Sequence, residues 1–465
     1  MQLPELFVRN MRSLMGDDAE ALFSALAEEP VVSVRRNPSK TVGILAGDAV
    51  PWATDACYLS HREAFTFDPL FHAGCYYVQE ASSMFLQQVI RQYVTAPVVA
   101  LDLCAAPGGK STLLRSVLPE GSLLVSNEIM PNRAQVLCEN ITKWGHPACA
   151  VLGNAPMDFA PLEGCFDLLV CDVPCSGEGM FRKDAVAVAE WSEENVASCV
   201  VRGRDILQSV WPALQPGGLL VYSTCTFNPD EDERQVDFIA RTLGADVLPL
   251  DVEPSWGITG SLLPDEPSLP CYHFIPGRTR GEGFFLAVLR KHGTASSVAD
   301  FPVRTSGKSK AAKAPAIPRE CRDWIVDPDA YEWVSDGSVV SALPIQHAPL
   351  VALLRSRLRV LQAGVGVAEQ KGRDVVPLPS LAFSTVMRRD AFPQVELDWL
   401  QAMAYLRHEA IVLPADTPRG IVLLAYRQVP LGFAKNIGNR ANNLYPMEWR
   451  IRTTHLPEMV PFVLK

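Results

Sequence analysis

The spacing of apolar positions changes twice along the chain. In residues 3–16 (LPELFVRNMRSLMG) and 18–29 (DAEALFSALAEE) apolar side chains recur at three- and four-residue intervals, the period of one helix face. A turn-rich polar stretch, RRNPSK, follows, and residues 78–93 (VQEASSMFLQQVIRQY) return to helical spacing. The first 95 residues therefore predict a small α+β region. From residue 97 the runs become short, continuously apolar and closed by a polar group. Residues 97–104 (PVVALDLC) hold Asp102, residues 122–128 end in Glu128, and residues 148–154 end in Asn154. Three more runs occupy residues 166–175, 217–226 and 283–291, and helical segments such as 131–145 and 193–214 lie between them. Alternation of this kind predicts an α/β fold with a parallel, doubly wound, Rossmann-like sheet.

Residues 292–318 are rich in Ser, Ala, Lys and Pro and predict a flexible linker. Strand-like runs return at 337–343, 410–416 and 419–435, which predicts a β-rich C-terminal domain over 319–465. The expected organisation is thus an N-terminal accessory region (1–95), a catalytic domain (96–291), the linker (292–318) and the C-terminal domain (319–465).

Composition adds limits. Of 465 residues, 48% are hydrophobic and 20% charged, as in globular proteins. The net charge of −10 argues weakly against nucleic acid, but it is uneven. From residue 302 onward there are 21 Lys and Arg against 15 Asp and Glu, leaving the front of the chain strongly acidic. The 12 cysteines include no CxxC pair, and Cys171 and Cys175 have no partnering histidine pattern. Eight histidines form no HExxH, so no metal is expected. Charges interrupt the N-terminus where a secretory signal would be apolar, and no apolar run reaches the roughly 18 residues of a membrane span. A cytoplasmic protein with free cysteines and no membrane partner is the expectation.

The chemistry concentrates at strand ends, where open α/β sheets bind ligands. Cys104, Ala105, Ala106, Pro107, Gly108, Gly109 and Lys110 form a small-residue loop that lets backbone approach a ligand closely, with N–H groups suited to a carboxylate or phosphate. It is neither GxxxxGK[ST] nor GxGxxG. Glu128, 26 residues after Asp102, suits ribose hydroxyls; Asn154 could reach an adenine edge or cap a loop; Asp172 could serve a cofactor or a base. Cys138, Cys149, Cys165, Cys171 and Cys199 fall in apolar patterns and read as core. Cys175 and Cys225 each follow an apolar run and precede a polar or small-residue loop, so each should face the cleft. Cytosine C5 is too poor a nucleophile to attack a sulfonium methyl until a thiolate adds to C6. Such chemistry needs a thiolate, an acid near N3, for which a protonated or proton-sharing Asp172 is a candidate, and a base for the C5 proton. Lys183 is a candidate for positioning the base or the RNA.

The segments DLCAAPGGKS, DVPCSGEGMFRKD and YSTCTFNPDEDE resemble the signature motifs of the Nol1/Nop2/Sun family of RNA cytosine-5 methyltransferases. Arg35-x-Asn37 and YYVQEASSM resemble its N-terminal motifs, and LGFAKNIGNRANNLYPMEWRIR resembles the C-terminal stretch of its bacterial 16S rRNA branch, part of a PUA-like module. The resemblance implies S-adenosylmethionine as cofactor and RNA, 16S rRNA or the small ribosomal subunit, as partner. It implies Cys225 as nucleophile, Cys175 in product release, and cofactor contacts from Cys104 to Lys110 and at Glu128, Arg133 and Asp172. Where relatives often carry Asp, this chain has Asn154. RNA contacts are expected at Arg35, Asn37, Lys183, Lys435, Arg440, Asn443 and Tyr445, where basic, amide and aromatic groups suit phosphates and bases. Three alternatives stay open: a DNA cytosine-5 methyltransferase using Cys175 as nucleophile, an RNA-binding assembly protein on an inactive methyltransferase fold, and a methyltransferase acting on a small molecule or protein.

Overall fold

The computed structural model describes residues 3–41, 43–294, 317–453 and 455–465, so most of the expected linker lies outside the described residues. The helices Glu5–Met15 and Asp18–Leu26 stand where the periodicity puts them. They are followed by β1 (Ser33–Arg36), β2 (Asp48–Ala49), β3 (Ala56–Tyr58) and β4 (Tyr76–Val78), a small sheet in the order β2-β3-β1-β4. The helix expected over 78–93 begins as this last strand and becomes regular only at Leu86–Tyr93.

The next strands are β5 (Val99–Asp102), β6 (Leu123–Asn127), β7 (Cys149–Leu152), β8 (Phe166–Asp172), β9 (Leu214–Thr224), β10 (Ala245–Leu248), β11 (Tyr272–Phe274) and β12 (Phe284–Lys291). After the linker come β13 (Tyr331–Asp336), β14 (Val339–Pro344), β15 (Val360–Ala363), β16 (Val365–Lys371), β17 (Asp374–Pro377), β18 (Gln394–Glu396), β19 (Gly420–Tyr426), β20 (Val429–Asn436) and β21 (Ala441–Asn443). Among the described residues the large sheet runs β10-β12-β9-β8-β5-β6-β7-β15, with β11 beside β12. Its centre, β9-β8-β5-β6-β7, is parallel, as the alternation of runs and helices predicts.

Both faces of these strands are covered, which is why their sequence reads as unbroken apolar runs rather than alternation. Leu101, Val125, Leu169, Leu220 and Tyr222 pack on one side, while Ala100, Leu124, Val151, Leu168 and Val221 pack on the other. The covering helices have ordinary signals. Pro131 opens Pro131–Trp144 and Gly145, at φ 85°, closes it; the Ser192 hydroxyl caps Glu193–Val210 by accepting from Asn195 N–H at 3.1 Å.

The C-terminal region is β-rich as expected, and part of it also joins the large sheet. The helix Ala348–Arg357 buries Val351 and Leu354 in the core of the large sheet, and β15 closes that sheet's edge antiparallel to β7. An exposed β7 edge would leave unpaired backbone groups, and β15 satisfies them. The strands β13-β14-β16-β17 and β18-β19-β20-β21 form two further sheets. The last of these shares a core with the N-terminal sheet, where Val34, Leu70 and Tyr76 meet Val395, Tyr405 and Leu431. The apolar run 410–416 forms no strand: Pro414 has no N–H to donate, and Val412 stands exposed. No helix among the described residues is long and apolar enough to cross a membrane.

A chain ending at residue 318 loses Val351, Leu354, Leu358 and Ala363 from the main core and uncovers the β7 edge. It should aggregate or melt well below the full chain in scanning fluorimetry; equal melting would show that the edge strand is dispensable.

Candidate active site

The strand β5 ends at Asp102, a fully buried carboxylate whose Oδ2 accepts from Ser111 Oγ at 2.6 Å. Burial pushes this carboxyl up to about 7, and its second oxygen has no hydrogen-bond partner. The chain then turns through Cys104–Gly108 into the helix Gly109–Val117. Gly108 sits at φ 119°, a conformation that requires glycine. Cys104, Ala105, Ala106, Pro107, Gly109 and Lys110 line a cavity of about 410 Å³, shared with Asp172 and Cys225.

Inside the cavity Lys110 Nζ lies 2.8 Å from Asp172 Oδ2, and Ser223 Oγ donates to Asp172 Oδ1 at 2.7 Å. Burial works against the lysine's charge, but Asp172, with Asp102 and Cys225, outweighs it and holds the ammonium above its ordinary value. Asp172 is one half of an ion pair, and the proton-rich group beside it is Lys110.

The pairing of β8 on β9 sets Asp172 opposite Ser223. Just beyond those strand ends the sulfurs of Cys175 and Cys225 are 3.3 Å apart, and the Cys225 backbone N–H also points at Cys175 Sγ at 3.3 Å. The hydrogen bond with Cys225, then burial, pushes the Cys175 thiol well up. The two sulfurs lie within hydrogen-bond reach of each other, and the raised Cys175 thiol favours its protonated form. Among the other cysteines, Cys149, Cys165, Cys171 and Cys199 are buried as expected and Cys138 is half-buried.

Sequence reasoning missed the groups that hold this loop. Glu231 accepts from Ser176 N–H at 2.8 Å and from Ser176 Oγ at 2.5 Å, and Ser176 Oγ lies 3.0 Å from Thr226 Oγ1. Glu178 accepts from Phe227 N–H and from Trp191 Nε1, and Gly179 N–H donates to the Cys225 carbonyl at 2.9 Å. Gly179 and Gly283 approach so closely that a Cβ on the former would stand 2.6 Å from the latter's carbonyl oxygen. The signal was there in NPDEDE, an acidic run beside a cysteine, but spacing alone does not say which acid turns inward. A second buried cluster, Glu233, Cys271 and His273, also went unforeseen; His273 Nε2 and Glu233 Oε1 pair at 3.0 Å.

On the other side of the loop Glu128 is 2% exposed. Its Oε1 accepts from Met130 N–H at 2.9 Å, while Oε2 lies 3.3 Å from Arg133 Nη1 and receives no hydrogen bond. Arg133 Nη2 donates to the Ala106 carbonyl at 2.8 Å, tying the acid to the loop. Asn154 does not face this space with a free amide. Its Nδ2 donates to the Arg359 carbonyl at 3.0 Å and its Oδ1 accepts from Arg359 N–H at 2.8 Å.

Several residues expected to contact RNA are buried or already hydrogen-bonded within the chain. Arg35 is 1% exposed, bound to Gln79 and Thr112 and stacked 4.7 Å over Trp144; burial lowers its guanidinium to about 9. Asn37 is fully buried on the carbonyls of Gly74 and Trp144. Tyr445 is buried, and the Asn443 amide is spent on Tyr405 and Tyr445 backbone. Small, conformationally demanding segments carry such residues for packing as readily as for ligands. Arg440 is exposed, and Lys435 pairs with Asp374 at the surface. Lys183 pairs with Glu282 at 3.3 Å and borders a groove of about 860 Å³ together with Arg62, Arg182 and Arg280. Val78, Gln79 and Glu80 line both this groove and the cavity of the cysteines, so the two adjoin.

Residues 95–290 match the family described as 16S rRNA methyltransferase RsmB/F. Residues 3–81 match the N-terminal domain of 16S rRNA methyltransferase RsmF, and residues 392–451 match the methyltransferase RsmF PUA domain. The chain is 32% identical over 420 residues to ribosomal RNA small subunit methyltransferase F of Serratia proteamaculans, covering 86% of this chain and 84% of that one. It is 30% identical over 414 residues to the protein of the same name from Aliivibrio fischeri, covering 86% and 85%. Among solved structures, a methyltransferase homologue from Pyrococcus horikoshii superposes with a TM-score of 0.53 at 24% identity, over 62% of this chain and 95% of its own. NSun6 from the same organism gives 0.52 at 18% identity, over 63% and 99%. These two likenesses bear out the Rossmann-like fold, and the PUA match bears out the expected C-terminal module.

Burial pushes the Glu231 carboxyl up to about 7, so the folded chain holds this proton more tightly than the unfolded one. The resulting stabilisation is complete below the ordinary carboxyl value and is lost as pH rises through about 7. Glu231→Gln mimics the protonated acid, accepting from Ser176 N–H and donating to Ser176 Oγ. Between about pH 5 and about pH 8 the wild-type melting temperature should fall relative to that of E231Q. Parallel melting curves across that range would show that Glu231 does not titrate there.

Proposed function

Because the chain belongs to the 16S rRNA methyltransferase RsmB/F family, and is therefore an S-adenosylmethionine-dependent RNA methyltransferase, we propose that it methylates carbon 5 of a cytosine in 16S rRNA through a covalent bond from Cys225 to C6. The observation that carries this reading is the pair of cysteine sulfurs 3.3 Å apart beside the Lys110–Asp172 ion pair. A methyltransferase acting by direct displacement needs neither cysteine.

The residues fit the methyl donor. Glu128 offers a buried carboxylate oxygen without a hydrogen bond, suited to ribose hydroxyls, and the small-residue loop leaves backbone accessible. Asp172, held by Lys110 and Ser223, presents a carboxylate suited to the ammonium of an amino acid. When bound, S-adenosylmethionine supplies an electrophilic methyl group on a sulfonium.

The chain's own residues do the rest. The Cys225 thiolate adds to C6, and the C5–C6 π electrons become available at C5 for the methyl group. Lys110, charged and next to Asp172, donates toward the ring as negative charge builds on it. Transfer of the C5 proton to a solvent water then restores the double bond, and the C6–S electrons leave with Cys225 as a thiolate. Cys175, which keeps its own proton 3.3 Å away, donates to that departing sulfur. The adjoining groove bearing Arg62, Arg182, Lys183 and Arg280 supports a path for flanking phosphates. Residues 96–291 together with Ala348–Arg357 and β15 act as the catalytic unit, with the N- and C-terminal regions as RNA-binding parts. The compartment is the cytoplasm, where the small ribosomal subunit is the partner.

Cys225→Ala should form no covalent RNA adduct, whereas Cys175→Ala should accumulate one that survives denaturing gel electrophoresis, because attack precedes release. A DNA-type mechanism gives the reverse pattern. No adduct in either variant or in wild type, even on target RNA containing 5-fluorocytosine, would defeat the covalent reading altogether.

A further inference from the structure

The cavity beside Glu128 has a wall that comes from beyond the linker. Its volume is about 550 Å³, and it is lined by Glu128, Ile129 and Gly153 at the ends of β6 and β7, and by Arg359 and Leu361 at β15. Three hydrogen bonds fix that wall. Asn154 grips the Arg359 backbone at both ends of its amide, at 3.0 and 2.8 Å, and Gly153 N–H donates to the Arg359 carbonyl at 3.0 Å. Leu361 follows after Val360, 36% exposed, and a Cβ on Gly153 would stand 3.4 Å from its Cδ1. Ile129 is 54% exposed across the same space. Glu128 lines the same cavity, almost wholly buried, with Oε2 receiving no hydrogen bond and lying 3.3 Å from Arg133 Nη1.

An acid at a strand end with exposed apolar side chains around it is what a nucleoside requires: hydroxyls on the sugar, and flat, weakly polar faces on the base. We propose that Leu361 and Arg359, supplied by the C-terminal segment, complete the adenosine end of the S-adenosylmethionine site, with Leu361 and Ile129 flanking the purine. The inference rests on the reading of the chain as a methyltransferase that uses this donor. It also assigns Asn154 a positioning role. Its amide holds the wall rather than reading the adenine edge, which is why an uncharged amide, with one donor and one acceptor to match a peptide unit, suits the position.

The test uses the full-length chain and S-adenosylhomocysteine as probe, in titration calorimetry. Leu361→Ala should raise Kd about tenfold, the effect of losing a leucine's worth of apolar contact. Leu361→Trp, which fills the cavity instead of opening it, should weaken binding at least as much. Both should raise KM for S-adenosylmethionine while leaving kcat at saturation and KM for RNA unchanged, a split that general loosening of the fold would not produce. Binding within about twofold of wild type in both variants overturns the inference and leaves the proposed reaction standing. A wild-type chain that binds no S-adenosylhomocysteine overturns both.

Discussion

The register of β8 against β9 is the constraint on which the site depends. With Asp172 opposite Ser223, the residues just past the two strand ends bring the Cys175 and Cys225 sulfurs to 3.3 Å. The same alignment aims Ser223 Oγ at Asp172, which anchors Lys110, and lets Glu231 reach the residue after Cys175. A shift of one residue would turn every side chain on the strand to the opposite face. The apolar residues buried on both faces of the sheet forbid that shift, so core packing and the placement of the proposed chemistry are one specification.

The parts around the sheet are tied to it by burial rather than by surface contact. Arg35, Asn37 and Tyr445 occupy segments that resemble RNA-recognition motifs, yet they are sealed among Trp144, Gly74 and Tyr405. Arg35 and Asn37 tie the N-terminal sheet to the helix ending at Trp144, while Tyr445 packs on Tyr405 within the C-terminal region. The groove beside Lys183 and exposed groups such as Arg440 remain open for the proposed RNA path.

The parallel sheet was legible because both-face burial leaves long apolar runs, and the loop from Cys104 to Lys110 was legible because small residues cluster only where backbone must come close. Cys175 and Cys225 stood out by ending such runs. What escaped was everything set by distance in space across large gaps in sequence. The strand β15 reads as one more short apolar run, and nothing local says that it pairs with β7, more than 200 residues earlier. The Lys110–Asp172 and Glu231–Ser176 pairs are likewise invisible to spacing. The run 410–416 was misread because apolar content outweighed the meaning of a proline.

The edge strand also orders events in time. A ribosome emits the chain from its N-terminus, so β7 waits with an open edge while some two hundred further residues are made. The sheet closes only once residue 363 has emerged, and the core shared with the N-terminal sheet closes last, when Leu464 bridges back to Leu45. A fragment released early carries the paired cysteines on an unfinished scaffold with an open strand edge, prone to pair with strands of other chains. Completion of the large sheet thus waits on residues beyond the linker.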